Sequence, residues 1–157
     1  VAVTCGADNQ AYVRGLGAEL AIDYRDGDVV AAVRKWAPDG VDLVLDAVGL
    51  DTLLPSVLDI VAPGGRYVEI ETLISRAADD LVASAAARDI AILSNMVAVA
   101  RLPEHLKGLA ALCGTGKVMP PAIETMPLGE AAAAHRRVEA QHVRGKIILE
   151  VADHDDW

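Results

Sequence analysis

Residues 40–49 read Gly-Val-Asp-Leu-Val-Leu-Asp-Ala-Val-Gly, and this stretch decides the fold. Val41 to Leu45 is a nearly continuous apolar run, closed by Asp46 and bounded by turn residues. Such a run fits a short strand buried on both faces of a parallel sheet. Upstream, Val29 to Trp36 has helical spacing and stops at Pro38 and Gly40. Downstream, the pattern predicts a helix from about Leu50 to Val61, ended by Pro63-Gly64-Gly65, and then a strand from Arg66 to Ile70.

The same alternation extends outward. Strands are expected at Val1–Thr4, Leu20–Ile22 and Ile90–Leu93, and helices at about Asp8–Leu16, Arg76–Ala87 and Pro103–Leu112. Strands alternating with helices of ten or so residues imply βαβ units, that is, an α/β protein with a doubly wound parallel sheet. The tail reads differently: 116–128 is Pro-rich and loop-like or extended, Gly129–Gln141 is helical, and Lys146–Val151 is a strand. Asp153, Asp155 and Asp156 make an acidic end.

The chain has 157 residues, 53% hydrophobic and 24% charged, enough apolar surface for a core and incompatible with intrinsic disorder. Leu81 to Ala100 is interrupted by Arg88, Asp89 and Asn95, so no membrane span is expected; nor is a signal peptide. Fourteen Lys and Arg against 23 Asp and Glu leave a net charge of -9, the wrong sign for a nucleic-acid binder, and aromatics are 3%. Cys5 and Cys113 cannot build a disulfide framework or a structural zinc site; they fit a reducing cytosol, and a cytoplasmic protein is expected.

Generic catalytic motifs are mostly absent. Gly15-Leu-Gly17 lacks a third glycine and ends a helix, so it is no dinucleotide fingerprint. Gly114-Thr-Gly116-Lys117 lacks the earlier glycine and following hydroxyl of a phosphate loop and reads as a helix cap and turn. His105, His135, His142 and His154 have no short ligand spacing, so no metal is expected, and no nucleophile elbow exists. Catalytic residues stay unassigned. The positive signal lies at the carboxyl ends of the strands, where open parallel sheets bind ligands: Thr4-Cys5-Gly6, Asp23-Tyr24, Asp46 to Gly49, and Ile70-Glu71-Thr72. These segments read equally well as plain connecting turns.

These residues also carry a family likeness. Val-Arg-Gly-Leu-Gly-Ala-Glu-Leu-Ala-Ile-Asp-Tyr-Arg (13–25), Gly-Val-Asp-Leu-Val-Leu-Asp-Ala-Val-Gly (40–49), Pro-Gly-Gly-Arg-Tyr-Val-Glu-Ile (63–70), Met-Pro-Leu-Gly-Glu-Ala-Ala-Ala-Ala-His-Arg (126–136) and His-Val-Arg-Gly-Lys-Ile-Ile-Leu (142–149) resemble the medium-chain dehydrogenase/reductase superfamily. The branch they resemble is that of the zinc-independent quinone oxidoreductases and related enoyl reductases. The resemblance implies a Rossmann-like sheet binding NADP(H) or NAD(H), with NADP favoured, and hydride transfer to a small quinone, enone or enoyl substrate. Cys5, Gly6 and Asn9 fall where the family holds the adenosine ribose or its 2′-phosphate, and Tyr24 lies near the adenosine end. Ala47, Val48 and Gly49, with Ile70, Glu71 and Thr72, match the loops flanking the nicotinamide half; Arg144 matches the segment that closes over the cofactor.

This sequence departs from the family pattern in several places. Asp8 and Asn9 stand where a lysine often pairs with the 2′-phosphate, Thr4 supplies no carboxylate for a ribose hydroxyl, and Glu71 replaces a usual glycine. Val1 to Thr4 would be the second Rossmann strand, so the first strand, its glycine turn and a substrate domain are expected upstream. On this reading 1–125 is a partial nucleotide-binding domain, and 126–157 is a C-terminal segment of the catalytic domain with an acidic tail. Three possibilities are left: the C-terminal part of an oxidoreductase, a non-catalytic binding or assembly module, and one half of a split enzyme. The intact mass separates the first from the others. A homodimer through the edge strand Ile90–Leu93 is expected, because its apolar sequence has no Lys or Pro to block pairing.

Overall fold

The computed structural model describes residues 1–49, 56–70, 79–94, 102–140 and 143–151. They divide into two compact units, Val1–Ala100 and Arg101–Trp157. In the first unit, β1 (Ala2–Cys5) leads through a 3-10 turn (Ala7–Asn9) into the short helix α1 (Gln10–Gly15), and then into β2 (Leu20–Asp23). α2 (Val29–Trp36) and β3 (Val41–Asp46) follow, then a 3-10 turn (Ser56–Asp59), β4 (Val61–Glu69), α3 (Asp79–Ala87) and β5 (Ala91–Ser94). The second unit holds α4 (Leu102–Gly114), β6 (Ile123–Pro127), α5 (Ala131–Glu139) and β7 (Lys146–Glu150).

All four strand pairings are parallel, as alternating strands and helices require. Among the described residues they form a two-stranded ladder β1-β2, a three-stranded ladder β3-β4-β5 and a two-stranded ladder β6-β7. The α/β, Rossmann-like class expected from the sequence is therefore the architecture observed, distributed over separate ladders.

Local chemistry accounts for the elements. Asp28 caps α2 by accepting the Ala31 N–H at 3.0 Å, and Arg34 and Lys35 occupy its last turn, where the helix dipole favours cations. Val33 points from α2 into a core shared with Ile22, Val57, Leu58, Ile60, Val61, Tyr67, Ala85 and Ile90. Gly40 takes φ +92° at the entry to β3, where an added Cβ would stand 2.7 Å from the Ala62 nitrogen. No other residue fits between those two backbones.

Two expectations are corrected. The helix drawn through to Val61 stops short: Ser56–Asp59 is a 3-10 turn closed by Ile60 N–H to the Val57 carbonyl at 3.1 Å, and Val61 already begins β4. Its residues 50–55 lie outside the described residues. Val41 N–H donates to the Ile60 carbonyl at 2.8 Å and draws the chain into the ladder there. Pro63-Gly64-Gly65 then lies inside β4 at a register shift opposite Val41–Leu43, a place where a missing N–H is tolerated. The second correction concerns β3, which is not buried on both faces. Val44 and Asp46 face the core, whereas Leu43 and Leu45 are 56% and 61% exposed. Among the described residues the core packs against one face of this ladder, and the alternation of a strand sends every second side chain to the other.

Candidate functional site

Two groups of strand ends carry the candidate residues. Register brings the first group together: Cys5 at the end of β1 lies opposite Asp23 at the end of β2, so Gly6 and Tyr24 leave the ladder side by side. Cys5 and Gly6 are half-buried, and Cys5 is a free thiol. Asn9 ends the 3-10 turn and donates its N–H to the Gly6 carbonyl at 2.9 Å. Tyr24 is 52% exposed, and the Arg25 guanidinium lies over its ring, 5.4 Å from the centroid.

The second group forms at the ends of β3 and β4, which pair in register Asp46 to Glu69. Asp46 is 2% exposed, and its carboxylate is fully engaged. Oδ1 accepts the N–H groups of Val48 and Gly49, each at 2.9 Å, and Oδ2 accepts the Tyr67 hydroxyl at 2.7 Å. The Ile70 N–H donates to the Asp46 carbonyl at 3.0 Å and closes the two strand ends together. Gly49 is buried with φ +112°, a conformation the turn requires and side chains resist. Ala47, Val48 and Ile70 stand exposed at the rim. Burial pushes the Tyr67 phenol well above its ordinary value, with the hydrogen bond to Asp46 and the charges of Asp46 and Glu69 adding to the shift.

Glu71 and Thr72 lie outside the described residues. Arg144 precedes β7 in the second unit, on a ladder apart from the other candidates, and is exposed. Gly15 to Gly17 behaves as read: α1 ends there, with Gly17 at φ +103° and the Ala18 N–H bonded to the Val13 carbonyl at 3.1 Å. Among the described residues no group of three or more His, Cys, Asp or Glu is placed to hold a metal, and no helix is long and apolar enough to cross a membrane.

Sequence reasoning missed three residues. Asp46 was visible as a strand end, but its role as the anchor of the 47–49 turn depends on Tyr67, which looked like one more strand residue. Alternation along β4, with Gly65, Tyr67 and Glu69 buried, was the available signal. Arg25 was hidden behind the family tyrosine beside it.

The adenosine half of a dinucleotide fits the first group. The Arg25 guanidinium lies over Gly6 at the end of β1, its Nη1 3.4 Å from where a Cβ would stand, and beside the Tyr24 ring, so a cation and an aromatic face meet there.

A family model described as zinc-binding dehydrogenase matches residues 16–149. The chain is 26% identical over 169 residues to the mitochondrial NAD(P)H oxidoreductase RTN4IP1 of Danio rerio, covering 98% of this chain and 43% of that protein. It is 38% identical over 74 residues to the trans-enoyl reductase pgmF of Aspergillus terreus, covering 46% of this chain and 20% of the relative. Among solved structures, a quinone oxidoreductase of Pseudomonas syringae pv. Tomato DC3000 superposes with a TM-score of 0.78 at 26% identity, over 94% of this chain and 48% of that one. The chain thus spans less than half the length of these relatives.

Proposed function

This chain belongs to the zinc-binding dehydrogenase family, and from that premise we propose that it is the cofactor-binding part of an NAD(P)H-dependent oxidoreductase acting on a small quinone, enone or enoyl compound. The observation that carries the proposal is the meeting of Cys5, Gly6, Asn9 and Tyr24 at one end of the β1-β2 ladder, where open parallel sheets take nucleotides. When bound, the dihydronicotinamide supplies a hydride to an electron-poor acceptor.

The residues of the chain bind and orient. Tyr24 offers a ring face to the adenosine end, with Gly6 and the Arg25 guanidinium beside it. At the other end Asp46 and Tyr67 hold the 47–49 turn rigid. Its Val48 and Gly49 N–H groups both point at the Asp46 carboxylate, so this turn presents the exposed apolar side chain of Val48, which is suited to a ring rather than a phosphate. Arg144 is assigned to the cofactor from its family position. The proposal further holds that the protein is cytoplasmic, in keeping with its free thiols Cys5 and Cys113, and that it forms a homodimer through β5.

Titration with NADPH and NADH, followed by residue-resolved NMR, tests the reading. No turn among the described residues has the glycine-rich strand-to-helix form that cradles a pyrophosphate. Binding to this chain is therefore expected to be weak, in the millimolar range, with shifts at Gly6, Asn9, Tyr24 and Val48. Absence of any shift at saturating cofactor would refute the cofactor reading, and low-micromolar affinity would refute the weakness.

A further inference from the structure

We infer that the buried carboxylate of Asp46, together with that of Glu69, favours the oxidised, positively charged nicotinamide ring over the reduced, neutral one. The inference rests on the cofactor reading above and adds to it an electrostatic role at the nicotinamide end that the resemblance did not supply.

Three observations carry it. Asp46 is 2% exposed and Glu69 3%, and register places them side by side at the carboxyl ends of β3 and β4. The donors to Asp46 are the Val48 and Gly49 N–H groups, each at 2.9 Å, and the Tyr67 hydroxyl at 2.7 Å, all of them neutral. Among the described residues no lysine, arginine or histidine forms an ion pair with Asp46. Its charge is thus held by dipoles and not cancelled by a cation. The field already reaches Tyr67, whose phenol is pushed well above its ordinary value by burial first, then by the Asp46 hydrogen bond and the charges of Asp46 and Glu69.

The turn aims this charge at one place. Oδ1 of Asp46 lies 2.9 Å from two backbone nitrogens of the 47–49 turn, and the exposed Val48 side chain stands on the turn's outer side. Both N–H groups, which could have received an anion, are turned inward to the carboxylate. A ring seated against Val48 therefore has a buried negative charge behind a thin apolar wall, where water screens little. In the reaction a hydride leaves the ring with both electrons of its bond and joins the electron-poor centre of the acceptor. A solvent proton completes the reduction, and the ring is left with a single positive charge. A fixed negative charge stabilises that state, and the transition state leading to it, more than it stabilises the neutral ring.

NMR titration of the 157-residue chain with NAD⁺ and with NADH, read at the Val48 and Gly49 amides, tests this, because the two forms differ only in the ring. The wild-type chain is expected to bind the oxidised form about threefold or more tightly. Asp46→Asn and Glu69→Gln each remove a charge at nearly constant shape. Each should bring the ratio towards one and leave the affinity for adenosine 5′-monophosphate unchanged. Tyr67→Phe removes a hydrogen bond but no charge, so it should keep the ratio even where it loosens the turn. Amide spectra verify the fold of each variant, and the wild-type ratio needs none of them. Equal wild-type affinities, a preference for NADH, or a ratio that survives both neutralising variants overturns the role of Asp46 and leaves the cofactor reading standing. A ratio lost equally in Tyr67→Phe overturns it too, because the shape of the turn and not the charge would then decide. If neither form shifts these amides, the cofactor reading itself fails and this assignment falls with it.

Discussion

Tyr67 and Asp46 show what one buried hydrogen bond contributes. Tyr67 is fully buried and donates at 2.7 Å to a carboxylate whose other oxygen holds the 47–49 turn. Tyr67→Phe leaves that carboxylate short of one donor and is expected to cost about 1–3 kcal/mol in chemical unfolding. The pH dependence follows from the raised phenol. An ordinary tyrosine ionises near 10.0, whereas the folded chain keeps Tyr67 neutral well beyond that. Its contribution is therefore fully present below about pH 10 and is lost as the pH climbs above it, where the unfolded chain has released the proton and the folded chain has not. The stability gap between wild type and Tyr67→Phe should narrow above pH 10; a gap that widens there would contradict this account. At this scale the strand-end residues Cys5, Gly6 and Tyr24 were legible in the sequence, because a strand end is a local pattern. Tyr67 was not, since nothing beside it in the chain marks its partner 21 residues away.

Elements were read with uneven success, and the failures have physical causes. α2 begins and ends as its Asp28 cap and its Pro38-Asp39-Gly40 stop suggest. β4 begins five residues earlier than Arg66, because the ladder with β3 captures Val61 and the Pro-Gly-Gly segment is absorbed as an irregularity within the strand. A glycine pair cannot be read from sequence as a turn or a bulge until the neighbouring strand is known. The end of α3 makes a separate prediction. Asp89 sits at φ +58°, just past the helix, where its N–H reaches the Ala86 carbonyl at 3.2 Å and the Ile90 N–H reaches Ala85 at 2.9 Å. Glycine tolerates this left-handed position without the steric cost. Asp89→Gly is expected to leave stability unchanged or raise it by up to about 1 kcal/mol, and Asp89→Val to lower it, both read from urea midpoints.

At the scale of the whole molecule, the outer side of β5, which pairs with no strand among the described residues, is the feature that matters most. β5 closes the three-stranded ladder and pairs with β4 on one side, while its Leu93 is 45% exposed. An apolar edge without lysine or proline invites pairing with a second copy about a two-fold axis. Sedimentation is expected to find a dimer at tens of micromolar, weakened by Leu93→Lys, which puts a charge on the edge. A wild-type monomer at that concentration would exclude β5 as an interface.

Hydrophobic spacing and turn residues by themselves determined the alternation of strands and helices over most of the chain and the parallel α/β class, because those signals act over a few residues of chain; they did not mark the strand Ile123–Pro127 or the early start of β4. They also located the strand ends that parallel sheets offer to ligands. The tertiary structure alone decided what meets at those ends: Tyr67 on Asp46, and the Arg25 guanidinium on Gly6. It also decided that Leu43 and Leu45 face outward. Each of these depends on the register between strands and on which face the core covers, and both are set by packing between segments far apart in the chain.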